Sequence, residues 1–383
     1  MEIYLDNCST TKPRKEVIDE MLDALQNHYG NPSSLHRLGL NAEKRIEHSR
    51  RIIADALKVK PEEIYFTSGA TESNNIAINS IIDKYSRFGK HIITTAIEHP
   101  SVYNVIKKLE ERGYDVTYLK VDENGIISLD ELANSIREDT ILISIMQVNN
   151  EIGSIQPTWK VKDIIKEKKS KAVLHVDGVQ AFGKIPIKLK NWEIDAFSIS
   201  GHKLHGPKGI GVLYVDSNLK LNPIIYGGGQ ERGFRSGTEN VPGIIGLGKA
   251  VEIMNKNFEK EQNHVRDLKL YFIDRLQEID KIRINSLDKY SSPYILNVSF
   301  EHVRGEVLLH YLEKKGIYVS TTSACSSKSH KGSRVLEELG LTALQIEGAI
   351  RFCFSYEITK EDIDYTIDVL KDSVKEIRQV TMR

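Results

Sequence analysis

Ser198-Ile199-Ser200-Gly201-His202-Lys203 closes an apolar run, 194–199, with a lysine set among small and polar residues. A strand ending this way delivers its last side chains to the carboxyl edge of a sheet, where open α/β folds bind ligands. Lys203 is then either a solvated loop residue, the usual fate of lysine, or an amine that holds a cofactor aldehyde. A second apolar run, 172–176, delivers Asp177 at its carboxyl end, with Gln180 shortly after it. If Lys203 carries pyridoxal phosphate as an imine, the pyridine nitrogen needs a carboxylate partner to stay protonated and accept electrons, and Asp177 supplies that charge. The alternative for Asp177 is a strand-end turn residue at the Gly178 corner.

These two runs belong to a longer alternation. Short β-branched stretches at 64–67, 91–97, 115–121, 141–148, 172–176, 196–200 and 209–215 are separated by helical patterns such as 71–88 and 102–112. The alternation predicts an α/β domain with a mostly parallel, seven-stranded sheet. After about residue 248 the pattern changes to a charged amphipathic helix over 257–279, short segments at 294–300, 304–315, 317–320 and 349–355, and a last helix capped by the Thr359 hydroxyl. We therefore expect a large cofactor-binding domain over 15–255 and a smaller α+β domain formed by 1–14 and 256–383.

Length agrees with two domains, since 383 residues exceed one ordinary core. Lys plus Arg and Asp plus Glu are 53 each, so no net field steers the chain toward nucleic acid or an anionic membrane. No stretch approaches the ~20 consecutive apolar residues of a membrane span. The amino terminus lacks the basic and apolar regions of a secretion signal, and a soluble, cytoplasmic protein is expected. Cys8, Cys325 and Cys353 form no Cys-x-x-Cys pair, and an odd scattered set suits a reducing compartment better than a disulfide framework.

Several segments offer groups for a phosphorylated, planar cofactor. Ser68-Gly69-Ala70-Thr71-Glu72 opens a helix after a strand, so free amides and the Thr71 hydroxyl can bind phosphate there, or simply cap the helix. Residues 227–238 combine glycines with Arg232, Arg235 and Thr238, where Arg235 and Thr238 can donate to a phosphate or carboxylate. His99 stands at a strand end before a helix and can stack on a ring or shuttle a proton. Asn149 and Asn150 can hydrogen-bond a cofactor oxygen or cap a turn. Cys325 lies in a polar run, 320–332, with no apolar period, which marks a loop thiol suited to act as a nucleophile or sulfur carrier. Cys353, within Ile350-Arg351-Phe352-Cys353-Phe354, reads instead as a packing residue.

Together, Tyr4-Leu5-Asp6-Asn7, Gly30-Asn31-Pro32-Ser33-Ser34, Thr67-Ser68-Gly69-Ala70-Thr71-Glu72, Glu98-His99, Val148-Asn149-Asn150-Glu151-Ile152-Gly153, His175-Val176-Asp177, Ser200-Gly201-His202-Lys203, Arg235-Ser236-Gly237-Thr238 and Ser323-Ala324-Cys325 resemble, in order, the cysteine desulfurases of the NifS/IscS family. That family belongs to class V of the pyridoxal-phosphate aminotransferases, of fold type I, and works as a homodimer. The resemblance implies that Lys203 holds pyridoxal 5′-phosphate and moves protons at the substrate Cα, and that Asp177 pairs with the ring nitrogen. It places His99 on the ring and Gln180 and Asn150 near its phenolic oxygen. Ala70, Thr71, Ser200 and His202 are assigned to the cofactor's phosphate end, joined by Thr238 from the opposite subunit, and Asn31 and Arg351 to the substrate carboxylate.

The implied reaction takes sulfur from L-cysteine as a persulfide on Cys325, releases L-alanine, and passes the sulfur to an acceptor protein. The acceptor is an iron–sulfur scaffold or a tRNA-thiolation enzyme. The chain stops at Arg383, soon after its last helix, and lacks the extension that scaffold-binding members use, which favours a tRNA-thiolation or similar acceptor. No resident metal is implied, beyond Cys325 as a transient iron–sulfur ligand. Cys8 stands where the family carries a small non-thiol residue and reads as structural. The rival readings are a selenocysteine lyase or another enzyme of the same scaffold, and a catalytically silent platform for partner proteins.

Overall fold

The computed structural model describes residues 2–321 and 332–381. Its centre is a seven-stranded sheet of strands Ile64–Thr67, Gly211–Val215, Ala196–Ser200, Val173–Asp177, Thr140–Met146, His91–Thr95 and Asp115–Leu119, in that spatial order. Gly211–Val215 runs antiparallel to both its neighbours and every other pairing is parallel. The β-branched runs of the sequence thus form a mostly parallel sheet buried on both faces. One face carries the helices Ala70–Tyr85 and Pro100–Glu111, with Ile76, Ile81, Val102 and Ile106 packed on Ile92 and Leu142. The other is covered by Arg37–Leu57 and the first half of Val241–Leu276, which set Ile53, Ile244 and Leu247 against Ile143, Leu174 and Phe197.

A second core is built on a four-stranded sheet in the order Ser320–Thr321, Ala349–Cys353, Ile295–Phe300, Ile282–Ile284, all pairings antiparallel. Phe272, Leu296, Phe300, Phe352, Ile367 and Leu370 fill it. The last helix, Lys360–Thr381, begins where the Thr359 hydroxyl accepts the Asp362 amide at 3.1 Å. The amphipathic helix expected over 257–279 is instead the distal part of one 36-residue helix beginning at Val241. Its proximal half was hidden because Gly246 and Gly248 interrupt the apolar pattern. A Cβ on Gly246 would lie 2.6 Å from Met21 Cγ and one on Gly248 2.6 Å from Ser49 Oγ, so these glycines let Lys15–Asn27 and Arg37–Leu57 approach the long helix closely.

The amino-terminal segment ties the two sheets together. Ile3–Tyr4 pairs in parallel with Ile317–Tyr318, and Asp6 bridges to Cys353. Cys8 and Cys353, both buried, form a disulfide with Cα atoms 5.6 Å apart. This corrects the expectation of three separate thiols without a bridge: the partners stand 345 residues apart, and only the Asp6–Cys353 register brings them together. No helix among the described residues is long and apolar enough to cross a membrane.

Reductant, or Cys8→Ala, is expected to destabilise the fold by about 2–4 kcal/mol, the usual worth of a bridge closing a long loop. Thermal melts with and without dithiothreitol check this, and a non-reducing digest should yield one peptide pair joined through Cys8 and Cys353.

Candidate active site

The carboxyl ends of the parallel strands open into a cavity of about 680 Å³. It is lined by Ala70, Thr71, His99, Asn150, Asp177, Gln180, Ser200, His202, Lys203 and Arg351, together with Cys8, Ser9, Ser320 and Thr321 from the second sheet's side. Strand, corner and helix explain each placement. Asp177 and Ser200 are the last residues of neighbouring parallel strands, His99 is the cap before Pro100–Glu111, and Ala70 and Thr71 start a sixteen-residue helix. The first amides of that helix have no acceptor within it and, with the positive end of its dipole, suit an anion.

Lys203 lies in a short turn, Gly201–Lys203, clasped by the amino-terminal segment. The Thr11 amide and hydroxyl both donate to the His202 carbonyl at 2.9 Å, and the Thr11 hydroxyl accepts the His205 amide at 2.8 Å. The Lys203 amine donates to the Ser9 carbonyl at 2.6 Å and to the Cys8 carbonyl. His202 hydrogen-bonds Thr10 at 3.2 Å, and burial, followed by the charges of Lys203 and Lys208, pushes its imidazole down to about 4, so it is a neutral ligand.

Asp177 is 4% exposed. Its Oδ1 accepts the Val179 amide at 3.0 Å and its Oδ2 the Asn74 side-chain amide at 2.8 Å. No lysine, arginine or histidine pairs with it among the described residues. A buried carboxylate needs a cation, and the space facing Asp177 is the cavity that Lys203 lines. Gln180 is oriented from behind. Its Oε1 accepts from the Lys184 amine at 2.6 Å, so its Nε2 faces the Cys8 carbonyl at 3.0 Å and keeps a second hydrogen for a ligand. Lys184 is buried without an acid partner among the described residues, and desolvation, with the charges of Lys203 and Arg351, lowers its amine to about 7.

Arg351 stands in the middle of strand Ala349–Cys353 and points its guanidinium into the same space. Nη1 donates to the Asn150 carbonyl at 2.9 Å, Nη2 to Asp6 at 2.9 Å and Ser9 at 2.8 Å, and Nε is buried without a partner among the described residues. The Asn149-Asn150 pair divides its labour. Asn149 caps a turn by accepting the Glu151 and Ile152 amides at 2.8 and 3.0 Å, while Asn150 lines the cavity.

Two candidates lie away from the cavity within one chain. Asn31 is exposed, accepting the Ser33 amide at 2.9 Å, and Thr238 is exposed on the glycine-rich loop. Arg235, read from sequence as a donor to a ligand, pairs with the Glu72 carboxylate at 2.9 Å. That loop is anchored by Glu231, whose carboxylate takes both Arg50 nitrogens at 2.8 and 3.0 Å with both side chains buried. Cys325 lies outside the described residues. Ser320 and Thr321, which line the cavity, are the last residues before that segment.

Asn74, Ser101, Lys184 and Glu98 escaped the sequence reading. Glu98 is fully buried beneath the site, where Oε1 accepts the Thr95 hydroxyl at 2.7 Å and the Met146 amide at 2.8 Å and Oε2 has no partner among the described residues. Burial raises its carboxyl to about 8. Its only sequence signal is an acid at the end of an apolar strand.

The fold and the cavity define a protein of the class-V aminotransferases, whose family model matches residues 3–366. The chain belongs to that family and, within it, to the cysteine desulfurases of NifS/IscS type. It is 44% identical over 379 residues to the cysteine desulfurase IscS of Methanosarcina thermophila, covering 99% of this chain and 93% of that one. A solved NifS-like protein superposes with a TM-score of 0.93 at 39% identity, covering 98% of this chain and all of the other. The structure of SspA in complex with cysteine matches with a TM-score of 0.83 at 35% identity, over 93% of this chain and 100% of SspA.

Glu98 makes a pH prediction. Its folded value near 8 lies above the ordinary 4.5, so the folded state holds the proton more tightly than the unfolded chain. Its contribution is complete below about 4.5 and is lost as the pH rises through about 8. Glu98→Gln should flatten the fall in thermal stability over that window and leave the acid side unchanged, as read by melts across a pH series.

Proposed function

We propose that this enzyme uses pyridoxal 5′-phosphate to remove sulfur from L-cysteine, leaving L-alanine and a persulfide on Cys325. The reading is carried by the buried Asp177 carboxylate, which has no cationic partner among the described residues yet faces the cavity lined by Lys203. That combination fits a protonated pyridine ring whose aldehyde is held by an amine. The rest of the cavity fits the same group: helix amides and the Thr71, Ser200 and His202 side chains for the phosphate, His99 for the ring face, Gln180 and Asn150 for the phenolic oxygen. Thr238 reaches the phosphate from the second subunit of a homodimer, and Asn31 joins Arg351 at the substrate carboxylate.

When bound, the cofactor supplies an electron sink conjugated to the substrate Cα. The residues do the remainder. Arg351 holds the cysteine carboxylate with its guanidinium. Lys203 would hold the cofactor's aldehyde, and its free amine would take the substrate Cα proton and return one on the path to alanine. The Cys325 thiolate attacks the substrate sulfur, the Cβ–S bond breaks with its electron pair left on the carbon side, and Cys325 keeps the sulfur as a persulfide. Protonation of Cβ completes alanine. An acceptor thiol, on an iron–sulfur scaffold or a tRNA-thiolation enzyme, then attacks the outer sulfur. We place this chemistry in the cytoplasm.

Lys203→Ala should abolish the visible band of lysine-bound cofactor and lower turnover by at least about 1,000-fold, in line with the loss of a covalent catalyst. Cys325→Ala should keep that band while ending persulfide formation, measured as the gain of one sulfur on the Cys325 peptide after incubation with cysteine. Release of alanine at the wild-type rate by Cys325→Ala would point to direct lyase chemistry without the thiol.

Arg351→Lys should raise KM for cysteine about tenfold or more with a smaller change in kcat, because the ammonium loses the bidentate fork. Steady-state kinetics with the cofactor saturating separates the two.

A further inference from the structure

We propose that Asn74 and Ser101 are positioning residues that link the Asp177 carboxylate to His99 and hold the His99 ring as the tautomer with its proton on Nε2. The catalytic consequence rests on the assignment of Asp177 and His99 to the cofactor, whereas the tautomer is a property of the protein alone.

Donor and acceptor rules give the direction of the relay. An ionised carboxylate only accepts, so Asn74 presents its nitrogen to Asp177 Oδ2 at 2.8 Å. The same nitrogen donates its other hydrogen to Ser101 Oγ at 2.9 Å. Asn74 is fully buried, and its Oδ1 has no partner among the described residues. The reversed amide would set that oxygen against the carboxylate, so the orphaned acceptor is the smaller cost. With its oxygen taken by Asn74, Ser101 turns its hydroxyl hydrogen toward His99 Nδ1, 2.8 Å away. The Ser101 amide donates to the same Nδ1 at 3.2 Å. A ring nitrogen receiving two donors carries no hydrogen of its own, and the proton of the neutral ring is on Nε2.

His99 caps the helix Pro100–Glu111 and lines the cavity, so Nε2–H is left for a ligand. Protonation at Nδ1 would break both bonds from Ser101. Burial opposes the imidazolium as well, aided by the charges of Lys203 and Arg334 and resisted by Asp177. His99 therefore enters the reaction as a donor at Nε2, and the geometry of Asp177 and that of His99 are set by one shared amide.

The test uses the full-length protein labelled with ¹⁵N-histidine, before and after loading with pyridoxal phosphate, and reads long-range proton–nitrogen correlations of the imidazoles. His99 is assigned by the signals lost in His99→Gln. The expected wild-type result is a hydrogen-free Nδ1 and a protonated Nε2. In Asn74→Ala the Ser101 hydroxyl is free to turn, and the His99 nitrogens should move partway toward mixed-tautomer shifts, the Ser101 amide still donating to Nδ1, while His175 and His91, also buried, keep theirs. Ser101→Ala should do the same and Ser101→Thr should restore the single tautomer; Ser101→Ala also carries the test if Asn74→Ala does not fold.

Turnover of the loaded Asn74→Ala enzyme should fall about tenfold, the worth of roughly one good hydrogen bond, with KM little changed. A wild-type His99 protonated at Nδ1, or nitrogens unmoved in both variants, would overturn the relay. Tautomer loss with unaltered kcat and cofactor spectrum would support the relay and count instead against the assigned role of His99.

Discussion

A carboxylate buried without a counter-charge is the constraint around which this site is organised. Asp177 sits at the end of a central strand, hydrogen-bonded by one backbone amide and one asparagine, with no cation among the described residues to neutralise it. Two neutral donors steady such a charge but do not repay its desolvation. A ligand bringing a positive charge into the cavity that Asp177 lines would make good the deficit. The same isolation orders the surroundings, because Asn74 is held by Asp177 and in turn orients Ser101 and His99.

The cations of the site stand where they cannot quench Asp177. Lys203 is turned onto the Cys8 and Ser9 carbonyls, Lys184 onto Gln180, and Arg351 onto Asp6. Carbonyl and amide partners leave the two lysines exchangeable, while the ion pair with Asp6 at 2.9 Å holds the Arg351 guanidinium at the cavity wall. Most of these partners lie on residues 6–9, which cross from the second sheet to the lysine turn. The Cys8–Cys353 bridge and the Asp6–Cys353 register fasten that crossing at its base. The second sheet thus shapes the lysine's environment through the first residues of the chain.

Much of this was legible in the sequence because strand ends are. A β-branched run followed by a polar residue says both that a strand is present and that its next side chain meets the ligand edge, which places Asp177, Ser200 and His99 without coordinates. Lys203 and Thr71 follow from the small residues around them. Residues that work through another residue left no such mark. Asn74 sits on a helix where periodicity predicts only burial, and Lys184 and Glu98 are charged residues whose burial no local pattern announces. The Arg50–Glu231 and Cys8–Cys353 pairs are long-range meetings fixed by topology. Arg235 was misread for a related reason: a guanidinium beside glycines says that an anion is near, not whether the anion is a ligand or Glu72.

The polarity of the cavity follows from these arrangements. Lys203, Lys208, His202 and Arg351 line it from several elements, and Asp177 and Glu151 are its acids apart from Glu72, which is paired with Arg235. Glu151 is partly buried, its carboxyl raised by desolvation and hydrogen-bonded by Ser333. The imidazole of His202 is driven neutral by the same burial and by the adjacent lysines. A space with donors at its rim and one uncompensated negative charge at its floor sorts a ligand by its two ends. An anionic end suits the helix amides or the arginine, and a cationic end suits Asp177. A molecule carrying both charges on one rigid plane would match these groups together, and electrostatics alone would orient it in the cavity.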